Sequence, residues 1–341
     1  MFIRNERFMS TIRVVIAIVS YKSAALTVDC LRSIDAERQS TAGVYINVIV
    51  VDNASGDAPA IAEGIRQNSW SSWVNLLVAP KNGGFAYGNN LAYQSVDAEH
   101  PPDYFYLLNP DTLLRKGAIG ALVRFLEAHK DVGVAGSSFE NRDGSEWPLA
   151  FRFPSIVSEL ETGLQLGAAT RILRRWAVPV EMGPSPQRID WVSGASMMIR
   201  ASVFDALGGF DDNYFLYFEE TDFCLRASRA GIPTWYVPES RVMHIAGQST
   251  KVTEHNVAAK RLPPYWYESR RRYFVTSHGA AYAMVADIVS FAAHAVGAFK
   301  HRMQGRTDLT IPYFLTDLAH HSALWPRNRR LAARVPFPSR F

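Results

Sequence analysis

The chain has 341 residues, 48% hydrophobic and 20% charged, with a net charge of +4 and a pI near 9.0. That is an ordinary globular balance, enough for a sizeable core and for about two units of ~150 residues or one larger domain. No long Lys/Arg run argues for nucleic acid as a partner. The two cysteines, Cys30 and Cys224, cannot form a disulfide framework and fit a reducing compartment.

The opening residues, MFIRNERFMSTIRVVIAIVSY, superficially look like a secretion signal, and Met9 is an alternative start. The apolar run Val14–Val19 is too short for such a signal and lacks a small-residue cleavage site. It reads as a buried strand. Similar runs occur at Ile46–Val51, Val74–Val78, Tyr104–Leu108 and Val132–Ala135, the first being Val14–Ser20. Strands buried on both faces read this way. Amphipathic stretches such as Ala24–Glu37 and Gly117–His129 lie between them. This alternation predicts an α/β fold with a mainly parallel sheet and flanking helices.

Each strand ends in a polar or glycine-rich cluster: Ser20–Tyr21, Asp52–Asn53, Lys81–Asn82–Gly83–Gly84–Phe85 with Asn89 and Asn90 one turn on, and Asn109–Pro110–Asp111. Ligands of open α/β sheets bind beyond the carboxyl ends of strands. Four such ends predict one crevice.

Further along, Ser155–Trp176 reads as helical, and Pro179, Pro184 and Pro186 break the next stretch. Trp191–Ile199 reads as a strand and ALGGFDDNYF as a turn. A short helix over 221–230 is stopped by Gly231 and Pro233. Strands are expected at Thr234–Val237 and Arg241–Ile245. The apolar stretch Gly279–Phe299, between Arg270–Arg272 and Lys300–Arg302, is long enough to span a bilayer. Asp287 and His294 argue against spanning, because an Asp at the centre of a spanning helix costs ~2.5–3.5 kcal/mol. Asp287, Ser290 and His294 share one helical face. The expectation is a helix on a membrane surface or one packed on the domain. The basic, aromatic tail ALWPRNRRLAARVPFPSRF suits anionic lipid head groups or plain solvent.

Several residues could carry chemistry, each with a plainer alternative. Asp52 could accept from a ribose hydroxyl or a base N–H, or cap the next helix. KNGGFAYGNN lacks P-loop spacing and suits phosphate, base, ribose or any tight turn. Asp111 could hold a hard divalent cation together with substrate phosphates, or cap a helix. His244 is a ligand only if it meets Asp111 in the crevice; a lone histidine is more often structural. In YFLYFEETDFCLR, Asp222 is explained by the helix start and by Arg226 at i+4. Glu219 and Glu220 repel each other after five apolar residues. Repulsion and burial both raise a carboxyl pKa, which helps a general base near neutral pH.

In order, IVSY, VIVVDNAS, NGGFAYGNN, LLNPDT, DWVSGASMMIR, LGGFDDNYFLYFEETDFCLR and MHIAGQST resemble the family 2 glycosyltransferases of GT-A fold, in the bacterial rhamnosyltransferase-like branch. The resemblance spans roughly residues 12 to 275. It implies a Rossmann-like mixed sheet in a domain 1–262, with a nucleotide-binding half 12–136 and an acceptor and catalytic half 137–262. A helical, basic extension occupies 263–341, the candidate membrane-associating part. The resemblance implies that Ser20, Tyr21, Asp52, Asn82, Gly84, Phe85, Asn90 and Asn109 contact the nucleotide sugar. Asp111 and His244 would serve Mg²⁺ or Mn²⁺, with Asn109 standing where the family has its first acid. Trp191 and Gly194 would line the sugar and acceptor site. The implied base is Glu220, where the family usually has the shorter Asp, with Glu219 as runner-up. The implied reaction is an inverting transfer of a hexose, L-rhamnose from dTDP-L-rhamnose by branch, to a saccharide or lipid-linked saccharide. The alternatives are a UDP-sugar donor and a non-catalytic nucleotide-sugar-binding member. The expected place is the cytoplasm, peripheral on the inner face of the membrane.

Overall fold

The computed structural model describes residues 11–147, 149–164, 171–245, 260–305 and 311–334. Met9, most of the MHIAGQST segment and the last residues of the tail lie outside these.

Strand β1 (Ile12–Ser20) pairs in parallel with β2 (Val44–Asp52), and β2 with β3 (Val74–Val78). On its other side β1 pairs in parallel with β4 (Tyr104–Leu108). The register sets Ser20 beside Asp52, and Asp52 beside Val78. Those strand ends are therefore flush, which gives the crevice its floor. Val14, Ile16 and Ile18 bury on one face of the sheet, and Val15 and Ala17 on the other. Burial on both faces explains the unbroken apolar runs. Helices α1 (Ala24–Ser40), α2 (Ala58–Gln67), α3 (Gly84–Gln94) and α4 (Ala118–Ala128) connect and cover these strands.

Beyond β4 the sheet becomes mixed. The short β5 (Thr112–Leu114) leads to β6 (Val134–Glu140), whose far edge carries β7 (Glu146–Trp147). After β8 (Leu149–Phe151), β9 (Pro179–Glu181) and β10 (Gln187–Ile189), strand β11 (Ser196–Arg200) inserts antiparallel between β4 and β6. Strand β12 (Thr234–His244) then runs parallel to β6 and antiparallel to β5 and β10.

Several expected boundaries move. The two strands expected at Thr234–Val237 and Arg241–Ile245 are one strand with an irregularity between Val237 and Arg241. The strand expected over Val132–Ala135 runs on to Glu140. Its polar residues looked like an end but are satisfied inside: Ser137 Oγ lies 2.6 Å from both Ser196 Oγ and Ser240 Oγ. The strand expected from Trp191 begins only at Ser196, and Trp191 makes an isolated bridge to Phe151. The long helix expected over Ser155–Trp176 is α5 (Ile156–Leu164) and a 3-10 turn at Arg174–Trp176, with 165–170 outside the described residues. Helices α6 (Ala201–Ala206) and α7 (Glu219–Arg229) come after β11. Glu219 and Glu220 are thus the first residues of α7, which starts two residues earlier than its expected 221–230 span.

The last part is helical: α8 (Pro264–His278), α9 (Ala280–Met303) and α10 (Phe314–His321). The polar face of α9 packs inward. Arg270, 2% exposed, bridges Glu159 of α5 and Asp287 of α9 at 3.0 and 2.5 Å. Asp287 also accepts from Ser322 Oγ and the Ala323 N–H. A Cβ on Gly297 would lie 2.3 Å from the Gly163 carbonyl, so α5 and α9 cross in near contact. The outward face is apolar: Val285, Ile288, Val296, Phe299 and Met303 are 46–73% exposed. This helix is long and apolar enough to cross a membrane by length and composition, yet its acid is paired inside the protein.

Candidate functional site

The strand ends converge as expected, but several of their side chains already have partners. Ser20 Oγ is fully buried, accepts from Thr27 Oγ1 at 2.9 Å and lies 3.1 Å from Ser23 Oγ. Tyr21 is 40% exposed at the crevice rim, with Lys22 Nζ 5.4 Å from its ring centre. Asp52 caps the following turn and helix, accepting from Ser55 N at 3.0 Å and Ala58 N at 3.2 Å. Asn90 is buried, and its amide donates to Phe210 O and accepts from Phe210 N, each at 3.0 Å. It thereby ties α3 to the GGFDD turn. Asn82 Oδ1 accepts from Gly84 N at 3.2 Å and shapes its own loop. Asn109 is partly exposed, and its N–H donates to Ala195 O at 3.1 Å.

The glycine loop makes a close backbone approach, and its partner is the acid-bearing segment. Gly84 has φ +87°, and a Cβ there would sit 1.9 Å from the Phe215 carbonyl oxygen. The Phe85 N–H donates to that same oxygen at 2.8 Å. Asn53 pins the loop from below, donating to Gly84 O and accepting from Gly83 N. Only a residue without a side chain fits there.

Phe215 leads into an unusual turn. Tyr217 and Phe218 both have left-handed backbones, φ 71° and 69°. Such conformations cost ~1–3 kcal/mol each and persist only where surroundings impose them. Helix α8 supplies those surroundings. Ser269 Oγ donates to Leu216 O at 3.0 Å, Tyr265 stacks on Tyr217, and Trp266 and Tyr273 pack on Phe218. The strained turn delivers Glu219 and Glu220 to the head of α7.

The two acids differ in environment. Glu219 is 2% exposed, and its Oε2 is buried with no hydrogen-bond partner. Burial, then the neighbouring Glu220 charge, raises its pKa well above the ordinary carboxyl value. Glu220 is half-buried, and burial raises its pKa too. Its Oε1 has the Gly194 N–H at 3.4 Å, which opposes that rise, and its Oε2 is buried without a hydrogen-bond partner, like Glu219 Oε2. A Cβ on Gly194 would crowd the Phe85 ring at 2.9 Å. Phe85, Gly194 and Glu220 therefore form one contact point from three distant segments. Asp222 is ion-paired with Arg226 at 2.8 Å.

Asp111 and His244 also meet. The pairing of His244 with Thr112 brings His244 Nε2 to 3.4 Å from Asp111 Oδ1. That oxygen is buried without a hydrogen bond, and the His244 ring stacks on Trp147. Among the described residues no three His, Cys, Asp or Glu side chains form a metal cluster.

Trp191 donates from Nε1 to Arg152 O at 2.9 Å and stacks on Phe151. Trp191 and Glu220 line one cavity of about 290 Å³ whose far walls are Leu262, Trp266, Ile311 and Phe314. No sequence signal placed the C-terminal helices at this site. The aromatic run PYWYES, at 264–269, carries no motif; only the folded chain shows that it clamps the acid turn.

A family model described as "Glycosyltransferase like family 2" matches residues 12–260. Over 218 residues the chain is 28% identical to an N-acetylglucosaminyl-diphospho-decaprenol L-rhamnosyltransferase of Mycobacterium tuberculosis, covering 60% of this chain and 68% of that one. Over 166 residues it is 30% identical to the rhamnosyltransferase WbbL of Escherichia coli, covering 48% of this chain and 61% of that one. In structure it is similar to the mannosyltransferase PcManGT from Pyrobaculum calidifontis, solved with GDP-Man and Mn²⁺. The TM-score is 0.54 at 15% identity, covering 93% of this chain and 86% of that one. At that identity the likeness shows the shared fold, the GT-A arrangement.

Proposed function

The chain belongs to glycosyltransferase-like family 2, and from that premise we propose that it transfers L-rhamnose from dTDP-L-rhamnose, with inversion, to a hydroxyl of a lipid-linked saccharide in cell-surface polysaccharide synthesis. Its relatives are named rhamnosyltransferases, and one is named for a diphospho-decaprenol acceptor. The observation that carries the reading is the acid pair at the head of α7, with Glu220 held against the Gly194 amide.

Glu220 is the base. The acceptor hydroxyl attacks the anomeric carbon, Glu220 takes its proton, and the bond from that carbon to the phosphate oxygen breaks with its electron pair. Glu219, the more deeply buried acid, keeps a proton and stays neutral, so only one negative charge sits at the helix start. That start stabilises a single anion. A 3.4 Å amide contact steers Glu220 without fixing it.

Asp111 and His244 fit a divalent cation that takes its other ligands from phosphate and water. The donor set is one carboxylate oxygen, buried and without a hydrogen bond, and one imidazole nitrogen. Mg²⁺ or Mn²⁺, when bound, supplies positive charge to the departing diphosphate. The structural relative holding Mn²⁺ supports this choice. Around that group, Ser20, Tyr21, Asp52, Asn82, Gly84, Phe85, Asn90 and Asn109 form or brace the nucleotide-sugar site, and Trp191 and Gly194 the acceptor side.

The catalytic unit is placed at 1–262, with halves 12–136 and 137–262, and the helical extension at 263–341. The extension rests on an anionic membrane surface through the outward face of α9. Exposed Arg302, Arg327 and Arg330 supply the positive charge.

Thermal stabilisation by a panel of nucleotide sugars, with and without EDTA, tests donor and metal together. dTDP-L-rhamnose with Mg²⁺ should raise the Tm most. A larger rise with a UDP-sugar would move the donor and leave the chemistry, and no rise with any donor would sink the reading.

A further inference from the structure

We propose that one face of α8 positions the acid pair, with Ser269 and Tyr265 as the positioning residues that hold Glu220 on its line to the acceptor hydroxyl. This rests on Glu220 as the base of the preceding reading. Helix α8 lies beyond residue 260, where the match to the family model ends. The positioning element therefore comes from the C-terminal extension and not from the matched domain.

Tyr265, Trp266, Ser269, Arg272 and Tyr273 share one helical face of α8. Each of them meets the segment 211–218 that leads into the acids. Arg272 pairs with Asp211 at 2.6 Å, and its guanidinium lies 5.6 Å from the Tyr214 ring centre. Tyr265 packs on Phe215 and Tyr217, with ring centres 5.3 and 6.1 Å apart. Ser269 Oγ donates to Leu216 O at 3.0 Å. Trp266 and Tyr273 set their rings against Phe218 at 6.1 and 5.6 Å.

The turn needs this outside support. Tyr217 and Phe218 have left-handed backbones, which persist only where surroundings impose them. Phe218 is the N-cap of α7 and makes no side-chain cap hydrogen bond. A Ser, Thr, Asp or Asn ordinarily fixes a helix start from within. Here two consecutive carbonyls are held by donors from two other helices: Phe215 O by the Phe85 N–H of α3, and Leu216 O by Ser269 of α8. Glu219 and Glu220 follow directly, so a shift of the turn moves both acids. A misplacement of about 1 Å can cost on the order of 10²-fold in rate. Among the described residues Ser269 and Tyr265 are not part of the cavity wall at Glu220, so they act through the turn. Besides Glu219, the titratable groups around Glu220 are Tyr217, Cys224, Glu159 of α5 and His294 of α9, and Glu159 is paired with Arg270.

The test uses the full chain with Ser269→Ala and Tyr265→Ala, and with Ser269→Thr and Tyr265→Phe as their conservative counterparts. Release of dTDP from dTDP-L-rhamnose on an N-acetylglucosaminyl-diphospho-prenol acceptor gives kcat and KM across pH. Hydrogen exchange of segment 214–222 reads the turn without any turnover. Each alanine variant should lower kcat about tenfold or more, leave the Kd for dTDP-L-rhamnose unchanged, and raise exchange in 214–222 alone. The acid limb of its kcat/KM profile should also move to lower pH. Burial holds the Glu220 pKa up, and a loosened turn admits water. Ser269→Thr and Tyr265→Phe should restore kcat to near wild type. Wild-type kcat in both alanine variants would overturn the proposal. So would a kcat loss with exchange raised throughout the chain and no recovery in either conservative variant, the mark of a merely structural role. The reading beneath fails separately. Loss of release in Glu220→Gln with wild-type kcat in both alanine variants keeps the reading and sinks the role of α8. Unchanged release by Glu220→Gln, with exchange raised locally in the alanine variants, does the reverse.

Discussion

Glu220 Oε1 lies 3.4 Å from the Gly194 N–H, while Glu220 Oε2 and Glu219 Oε2 are both buried without a hydrogen-bond partner. Burial favours the neutral form of a carboxyl and an amide hydrogen favours the ionised one; backbone amides oppose the effect of burial at both acids. Burial raises the pKa of both acids, and the Glu220 charge adds to the rise at Glu219; in the proposed division of roles Glu220 is the base and Glu219 the neutral acid.

That division gives opposite outcomes for two isosteric changes. Glu219→Gln mimics the neutral acid, and kcat should stay within a few-fold of wild type. Glu220→Gln removes the base and should lower kcat by roughly 10²–10⁴, the usual contribution of general base catalysis. Steady-state kinetics on both variants checks it.

Both carboxyl pKa values are raised in the folded protein, which fixes two pH trends. The base works deprotonated, so kcat/KM should fall as pH drops through the raised Glu220 pKa, above the ordinary value of 4.5. For stability the sign runs the other way. The favourable contribution of the protonated pair is complete below the unfolded-state pKa and is lost as pH rises through the folded one. Thermal melts from pH 4 upward should therefore show wild type losing stability relative to Glu219→Gln.

Gly84→Ala should damage the acid turn without touching an acid. The new Cβ meets the Phe215 carbonyl at 1.9 Å in a left-handed backbone. Handedness alone costs about 1–2 kcal/mol, and the clash adds to it. The Tm should drop by several degrees, and kcat should fall with it.

Arg270→Ala should loosen the C-terminal helices from the domain. It strands Glu159 and Asp287 in the interior. Removing one partner of a buried pair costs roughly 3–5 kcal/mol, measurable by urea unfolding. Ile288→Ser and Phe299→Ser, on the exposed face of α9, should instead leave stability unchanged and abolish sedimentation with anionic liposomes.

The sheet was legible because its strands are buried on both faces, so apolar runs such as Ile46–Val51 needed no periodicity to stand out. The meeting of Asp111 with His244 was a condition set by the sequence, and the register of β5 with β12 meets it. The partners of Asn90 and Gly84 were not legible. Asn90 engages Phe210, 120 residues on, and Gly84 meets Phe215, so both contacts depend on tertiary structure. The clamp on the Tyr217–Phe218 turn was hidden for the same reason: Trp266 and Ser269 look like any helix residues until α8 is docked.

If this chain moves a sugar with Glu220 as its base, the direct measurement is release of dTDP from dTDP-L-rhamnose, with Mg²⁺ or Mn²⁺. It is made in the presence and absence of an N-acetylglucosaminyl-diphospho-prenol acceptor. Acceptor-dependent release by wild type, lost in Glu220→Gln and kept in Glu219→Gln, is the expected result. Binding of the donor without release on any lipid-linked acceptor, or unchanged release by Glu220→Gln, would contradict it.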